Sequence, residues 1–178
     1  SIDKDQSVVV NHLNGEKINE TRNLLREAAR IARGKIRSIS QISVDEIDGV
    51  VIPGGFGAAL NLCDYATKGI NEMSVDKELE SFLIKVYEQK KPIGAICIAP
   101  VILAKVFSKY QPKITLGTDK NIASQITQLG AVHVDCLSDD CVVDEKNLLV
   151  TTPAFMLAKN IKDIYPGINK LSRKILNL

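Results

Sequence analysis

The sequence predicts an α/β domain built around a largely parallel sheet. Three observations carry that expectation. Short runs rich in Val and Ile alternate with longer segments of helical period, as in strand–helix–strand crossovers. The 178 residues are 45% apolar and 25% charged, a balance that lets one domain bury a core without disulfides or metals. No repeat, low-complexity tract or Pro-rich linker interrupts them, so residues 1–178 read as a single domain.

The elements follow in order. Val8 to Val10 is the first candidate strand. A helix begins near Thr21, turns Leu24, Leu25, Ala28, Ala29 and Ala32 inward, and stops at Gly34, which suits the left-handed conformation after a helix end. Ser43 and Glu46 have capping-box spacing for a short helix ahead of the strand Gly49 to Ile52. The next helix follows Ser74 and runs to about Gln89, with Val75, Leu79, Phe82, Leu83 and Val86 on one buried stripe. Ile93 to Ile96 is a buried strand leading into a helix that carries Pro100 in its first turn. Lys113 to Leu116 is a strand, Asp119 caps a helix from Lys120 to Leu129, and Gly130 closes it before the strand Ala131 to Asp135. Cys141 to Val143 and Leu148 to Thr151 are strands joined by a turn over Asp144 to Asn147, which predicts an antiparallel excursion near the end.

Composition removes several function classes. Lys and Arg total 23 against 21 Asp and Glu, with no block of like charge, so no footprint for nucleic acid or an acidic membrane surface stands out. Four Tyr, four Phe and no Trp give little stacking surface for single strands. No apolar run approaches the ~20 residues of a membrane span, and no signal-peptide pattern opens the chain. Cys63, Cys97, Cys136 and Cys141 contain no C-x-x-C pair and read as reduced thiols. A soluble, cytoplasmic protein is the expectation, with a mitochondrial one as the alternative if a removed leader preceded Ser1.

Two junctions hold the chemistry. In Ile93-Gly94-Ala95-Ile96-Cys97-Ile98-Ala99-Pro100 a strand reaches Cys97 and turns directly into a helix, like a nucleophile elbow. That turn sets the thiol at the carboxyl edge of the sheet, beside amides that favour a thiolate. The competing reading is a small core hydrophobe among Ile and Ala. In Val50-Val51-Ile52-Pro53-Gly54-Gly55-Phe56-Gly57 a strand meets a glycine-rich loop able to offer oxyanion or phosphate donors, or simply to make a tight turn. It lacks both the G-x-G-x-x-G order and the Lys of a P-loop. Gly117-Thr118-Asp119 and Thr151-Thr152-Pro153 end predicted strands at the same edge. His133, Cys136 and Cys141 lie close in sequence, but strand alternation sends His133 and Cys136 to opposite faces, so no metal site is expected. His12, near the Asn14-Gly15 turn, reads as a surface residue.

Pro53-Gly54-Gly55-Phe56-Gly57-Ala58-Ala59, Cys97-Ile98-Ala99-Pro100, Gly117-Thr118-Asp119 and Val150-Thr151-Thr152-Pro153-Ala154 together resemble the ElbB branch of the PfpI superfamily, as do Asn11-His12 and the segment from Thr21-Arg22-Asn23 to Ala32-Arg33-Gly34. The resemblance covers essentially the whole chain. It implies a flavodoxin-like three-layer sandwich of the class I glutamine amidotransferase type, and a cofactor-free, glyoxalase-like activity on small aldehydes such as glyoxal and methylglyoxal, often in a homodimer. It implies Cys97 as the nucleophile, with Gly54, Gly55, Gly57, Ile98, Thr118 and Thr152 as oxyanion- or ligand-binding residues. Ile98 stands where many relatives place His, and no His-x-Glu pair is present, so glutaminase activity is not expected. The family begins with a further strand and helix carrying a glutamate; the present chain opens near what resembles the second strand. It is therefore expected to be incomplete at its amino end, lacking a central strand and that carboxylate, with a sheet face or edge uncovered. The rival expectation is a noncatalytic redox-sensing or ligand-binding protein linked to stress or isoprenoid metabolism.

Overall fold

The computed structural model describes residues 1–178. Its main sheet has β1 (Val50–Ile52), β2 (Ile93–Ile96), β6 (Leu149–Thr152) and β5 (Val142–Asp144) side by side in that order. β1, β2 and β6 run parallel, and β5 pairs antiparallel with β6 across the expected turn. Asp144 holds that turn by accepting from the amide and side chain of Asn147. A second, two-stranded parallel sheet joins β3 (Lys113–Ile114) to β4 (Val132–His133). Side chains link the two sheets: the amides of Lys113 and Thr115 donate to Asp144 Oδ2 at 2.8 Å and to Thr151 Oγ1 at 3.0 Å. The α/β class with a mostly parallel sheet is as the sequence predicts.

The helices are α1 (Leu24–Ala32), α2 (Tyr65–Glu72), α3 (Lys77–Glu88), α4 (Pro100–Val106), α5 (Lys120–Gln128) and α6 (Ile161–Ile175). On one face of the sheet, Leu79, Leu83 and Val86 of α3 and Val101 to Ala104 of α4 join Ile93 and Ala95 in the core. Full burial of each large aliphatic side chain there is worth about 1.5–3 kcal/mol. On the other face α6 packs on β2 and β6. Gly94 permits this approach, since a β-carbon there would lie 3.2 Å from Leu171 and 3.4 Å from Ile175. β1 forms the sheet margin, and Val51 is 44% exposed.

Several expectations shift. Val8 to Val10 forms no strand; Val10 makes only an isolated antiparallel bridge to Lys17, because this segment has no neighbouring ladder to join. β3 and β4 each shorten to two residues. Above β3, the Thr151 hydroxyl replaces a backbone acceptor for the Thr115 amide. α3 starts at Lys77 rather than directly after Ser74, for Asp76 is its cap, its Oδ1 accepting from Glu78 and Leu79, while Val75 bridges to Cys63. α1 forms with its Asn23 cap, yet none of its apolar residues becomes fully buried. The Ser43–Glu46 capping box is present on a 3-10 turn. The sequence reading contained neither α2 nor α6. In α6, Pro166-Gly167 looks like a breaker, but it sits in the second turn, where a missing amide hydrogen is tolerated poorly and packing on the sheet compensates.

Gly167 is the close-approach point of α6. A β-carbon there would meet the backbone oxygen of Ser138 and lie 2.8 Å from Thr152 Oγ1. Gly167→Ala is expected to lower unfolding free energy by about 3 kcal/mol, the upper part of the overpacking range, as measured by urea denaturation.

Candidate functional site

Cys97 leaves the end of β2 with φ of +63°, a conformation that L-residues rarely adopt. Its amide donates to the Thr152 carbonyl at 2.9 Å, so the β2–β6 ladder continues through the cysteine backbone. The chain then turns through Ile98 and Ala99 into α4, with Pro100 as its first residue. α4 has only seven residues, so local amides rather than a long helix dipole face the thiol. The side chain is neither sealed in the core nor fully exposed. The core-hydrophobe reading would require neither the positive φ nor this exposure.

The glycine loop lies directly against it. A β-carbon on Gly54 would lie 2.5 Å from Cys97 Cβ, 2.6 Å from the Ile96 oxygen and 3.3 Å from Cys97 Sγ. Only glycine fits. Gly55 has φ of +94°, and Gly57 begins a π-helical turn over Ala58–Leu62, closed by the Cys63 amide donating to the Ala58 carbonyl at 3.1 Å. The amides of Gly54, Gly55 and Ile98 have no acceptor within the chain. Donors of this kind, one on the residue after the cysteine and others on a neighbouring loop, are the composition of an oxyanion hole.

The other candidate residues divide. Ile98 packs partly against the core and adds only its amide at this junction. Thr152 is fully buried and its hydroxyl donates to the Asp140 carbonyl at 2.7 Å beside Gly167, so it serves Cys97 through its backbone oxygen and not through its side chain. Thr118 is exposed on the turn before the α5 cap and makes no hydrogen bond with its side chain. No carboxylate or imidazole hydrogen-bonds Cys97 Sγ.

The remaining thiols are in different settings. Burial pushes the Cys63 and Cys141 thiols up, and pushes Cys136 up to about 11 with Asp140 adding to it. Cys63 and Cys136 donate to backbone oxygens. The side chain of His133 is 4% exposed, and its Nε2 accepts from the Leu116 amide at 3.3 Å. His12 is exposed.

A cavity of about 690 Å³ opens at the glycine loop, lined by α1, Gly54, Gly57 and the π-helical turn but not by Cys97. Within it Glu27 is paired with Arg30 at 3.2 Å. Asn61 also lines it and was not among the sequence candidates. Its only signal in the sequence is a polar amide inside the apolar run Ala58-Ala59-Leu60-Asn61-Leu62.

A cysteine elbow at the edge of an open, mostly parallel sheet defines a class I glutamine amidotransferase-like α/β protein. The chain belongs to the DJ-1/PfpI family, which matches residues 7–158. It is 40% identical over 186 residues to the mitochondrial ES1 protein homolog of Rattus norvegicus, covering 99% of this chain and 69% of that protein. It is also 40% identical over 188 residues to the mitochondrial glutamine amidotransferase-like class 1 domain-containing protein 3 of Homo sapiens, covering 99% of this chain and 68% of that one. Among solved structures, an isoprenoid biosynthesis protein with an amidotransferase-like domain from Ehrlichia chaffeensis superposes with a TM-score of 0.89 at 34% identity, over 99% of this chain and 80% of that one.

Two outcomes test this geometry. Gly54→Ala is expected to slow alkylation of Cys97 by iodoacetamide roughly tenfold or more, because the added methyl displaces the sulfur; mass spectrometry of the labelled peptide reads the rate. Burial holds His133 below its ordinary value of 6.5, with Asp135 pulling the other way and Lys120 adding to the depression. A base depressed on folding contributes stability that is complete above the unfolded value and is lost as pH falls toward the folded one. Thermal stability should therefore decline on acidification below 6.5, and His133→Gln, which keeps an acceptor for Leu116, should flatten that decline.

Proposed function

We propose that this protein is an ElbB-like, cofactor-independent glyoxalase in which Cys97 attacks small reactive aldehydes. The observation that carries the proposal is the Cys97 elbow with φ of +63°, lying against Gly54 and beside acceptor-free amides. Membership of the DJ-1/PfpI family and the likeness to an isoprenoid biosynthesis protein support the placement.

The chemistry balances with glyoxal and water alone. The thiolate of Cys97 forms a C–S bond with one aldehyde carbon while the carbonyl electron pair moves to oxygen, where the amides of Gly54, Gly55 and Ile98 receive it. After protonation this is a hemithioacetal. Loss of its C–H proton gives an enediol, and protonation at the second carbon gives a thioester. Water cleaves the thioester, releasing glycolate and restoring the thiol. Thr118 and Thr152 supply no base for the C–H proton, since a threonine hydroxyl does not accept protons near neutral pH. Slow turnover follows, accelerated by a small carboxylate from solution.

A second reading rests on the same lack of a bonded base: Cys97 as a redox-sensing or ligand-binding thiol without turnover. The two separate cleanly. Incubation with glyoxal should yield glycolate, Cys97→Ala should lower the rate at least about a hundredfold, and added formate should raise the wild-type rate. Equal rates for wild type and Cys97→Ala would remove the cysteine from the mechanism. Prompt oxidation of Cys97 by peroxide with no glycolate would establish the second reading. The relatives' names favour a mitochondrial location over the cytoplasmic one, and we propose it for this protein.

A further inference from the structure

The near balance of charge over the whole chain conceals a local surplus. From Arg22 to Arg37 there are six basic residues, Arg22, Arg26, Arg30, Arg33, Lys35 and Arg37, against the single acid Glu27, a surplus of five. The chain as a whole has a surplus of two, so its remainder is net acidic. Folding then sorts this segment by face. In α1 and its cap, Leu24, Leu25, Ala28, Ala29 and Ala32 are half-buried, while Arg26, Arg30 and Arg33, spaced four and three residues apart, form one exposed stripe.

Ion pairs leave much of this charge free. Arg22 pairs with Glu20, Arg30 with Glu27 and Arg37 with Glu46, whereas Arg26, Arg33 and Lys35 have no acidic partner. Cations at a helix end complement the backbone dipole, which accounts for Arg30 and Arg33 but not for Arg26 or Lys35. Beside them is an apolar group that the fold does not use: Ile31, at the rim of the neighbouring cavity, is 88% exposed. The free cations spread along the helix and past its end without converging, which suits a plane of charge rather than a single carboxylate or phosphate. An exposed aliphatic side chain among free cations is the composition that attaches a helix to an acidic bilayer, the charges meeting headgroups and the aliphatic group entering the acyl boundary. Nucleic acid fits less well, since no Phe, Tyr or Trp precedes Phe56 to stack on a base.

We propose that α1 docks this protein on a membrane surface bearing anionic phospholipid, with Arg26, Arg33 and Lys35 over the headgroups and Ile31 in the layer beneath them. The inference is independent of the chemistry assigned to Cys97.

Sedimentation with vesicles tests it. Vesicles of equal parts phosphatidylglycerol and phosphatidylcholine should carry the protein down at low salt, and vesicles of phosphatidylcholine alone should not. A cation near an acidic surface contributes about fivefold in affinity, so the combined variant Arg26→Gln, Arg33→Gln, Lys35→Gln should bind about a hundredfold more weakly. Ile31→Ser should lower affinity about fivefold. Raising salt from about 50 mM to about 300 mM should release the wild-type protein, because the Debye length shortens. All four side chains are exposed, so the variants leave the core untouched, and the lipid and salt comparisons need no variant. Absence of sedimentation, equal binding to phosphatidylcholine alone, indifference to salt, or undiminished binding in either variant would each overturn the proposal. Capture by soluble polyglutamate without sedimentation on vesicles would assign the stripe to an acidic protein and overturn the lipid assignment.

Discussion

One hydrogen bond organises the site. The Cys97 amide donates to the Thr152 carbonyl, prolonging the β2–β6 ladder by a rung after the strand has run out of regular conformation. The backbone must then reverse at a residue that carries a side chain, and the positive φ of Cys97 is the result. The ladder on one side and Gly54 on the other hold that conformation in place. Strain at such a position persists only where the surroundings over-determine it. Here a central strand, its neighbour and a glycine without room for a methyl group do so.

That arrangement divides labour between side chains and backbone. In the proposed chemistry the thiol is the reactive group, and no side chain hydrogen-bonds it, while the main chain around the junction offers the free amides of Gly54, Gly55 and Ile98. Such a site can stabilise charge that develops on a bound oxygen, because amides are fixed dipoles that need no reorganisation. It is poor at moving protons. The polar side chains of the neighbourhood are engaged elsewhere, Thr152 with Asp140 and Asn61 Oδ1 with Ser7. In the chemistry we propose, addition to a carbonyl, proton transfer is therefore the slow part.

Much of this was legible in the sequence because it depends on local patterns. The elbow announces itself as a β-rich run ending in Cys97 with Pro100 three residues on, and the Gly54-Gly55 loop follows a second such run. The caps at Asp119 and Ser43 depend on short-range hydrogen bonds, and the capping box formed as its spacing required. What stayed hidden depends on distant partners. Thr152 resembled a site residue because of its position at a strand end, but the side it presents is set by α6, and α6 was obscured by Pro166-Gly167. Val8 to Val10 has the composition of a strand, yet a strand exists only with a neighbour to pair with. Asn61 has no motif at all. Its orientation is decided by Ser7, more than fifty positions earlier in the chain.

The seam between the two sheets has a consequence of its own. The amides of Lys113 in β3 and of Thr115 just beyond it are received by a carboxylate and a hydroxyl where backbone oxygens would ordinarily serve. A backbone oxygen is present whatever the residue, so ordinary ladders are indifferent to mutation. This seam is inherited one codon at a time: Val in place of Thr151 would match its shape and cut the tie. A change at Thr151 or Asp144 would thus loosen the tie between the two sheets while leaving the main-chain ladder within each of them intact.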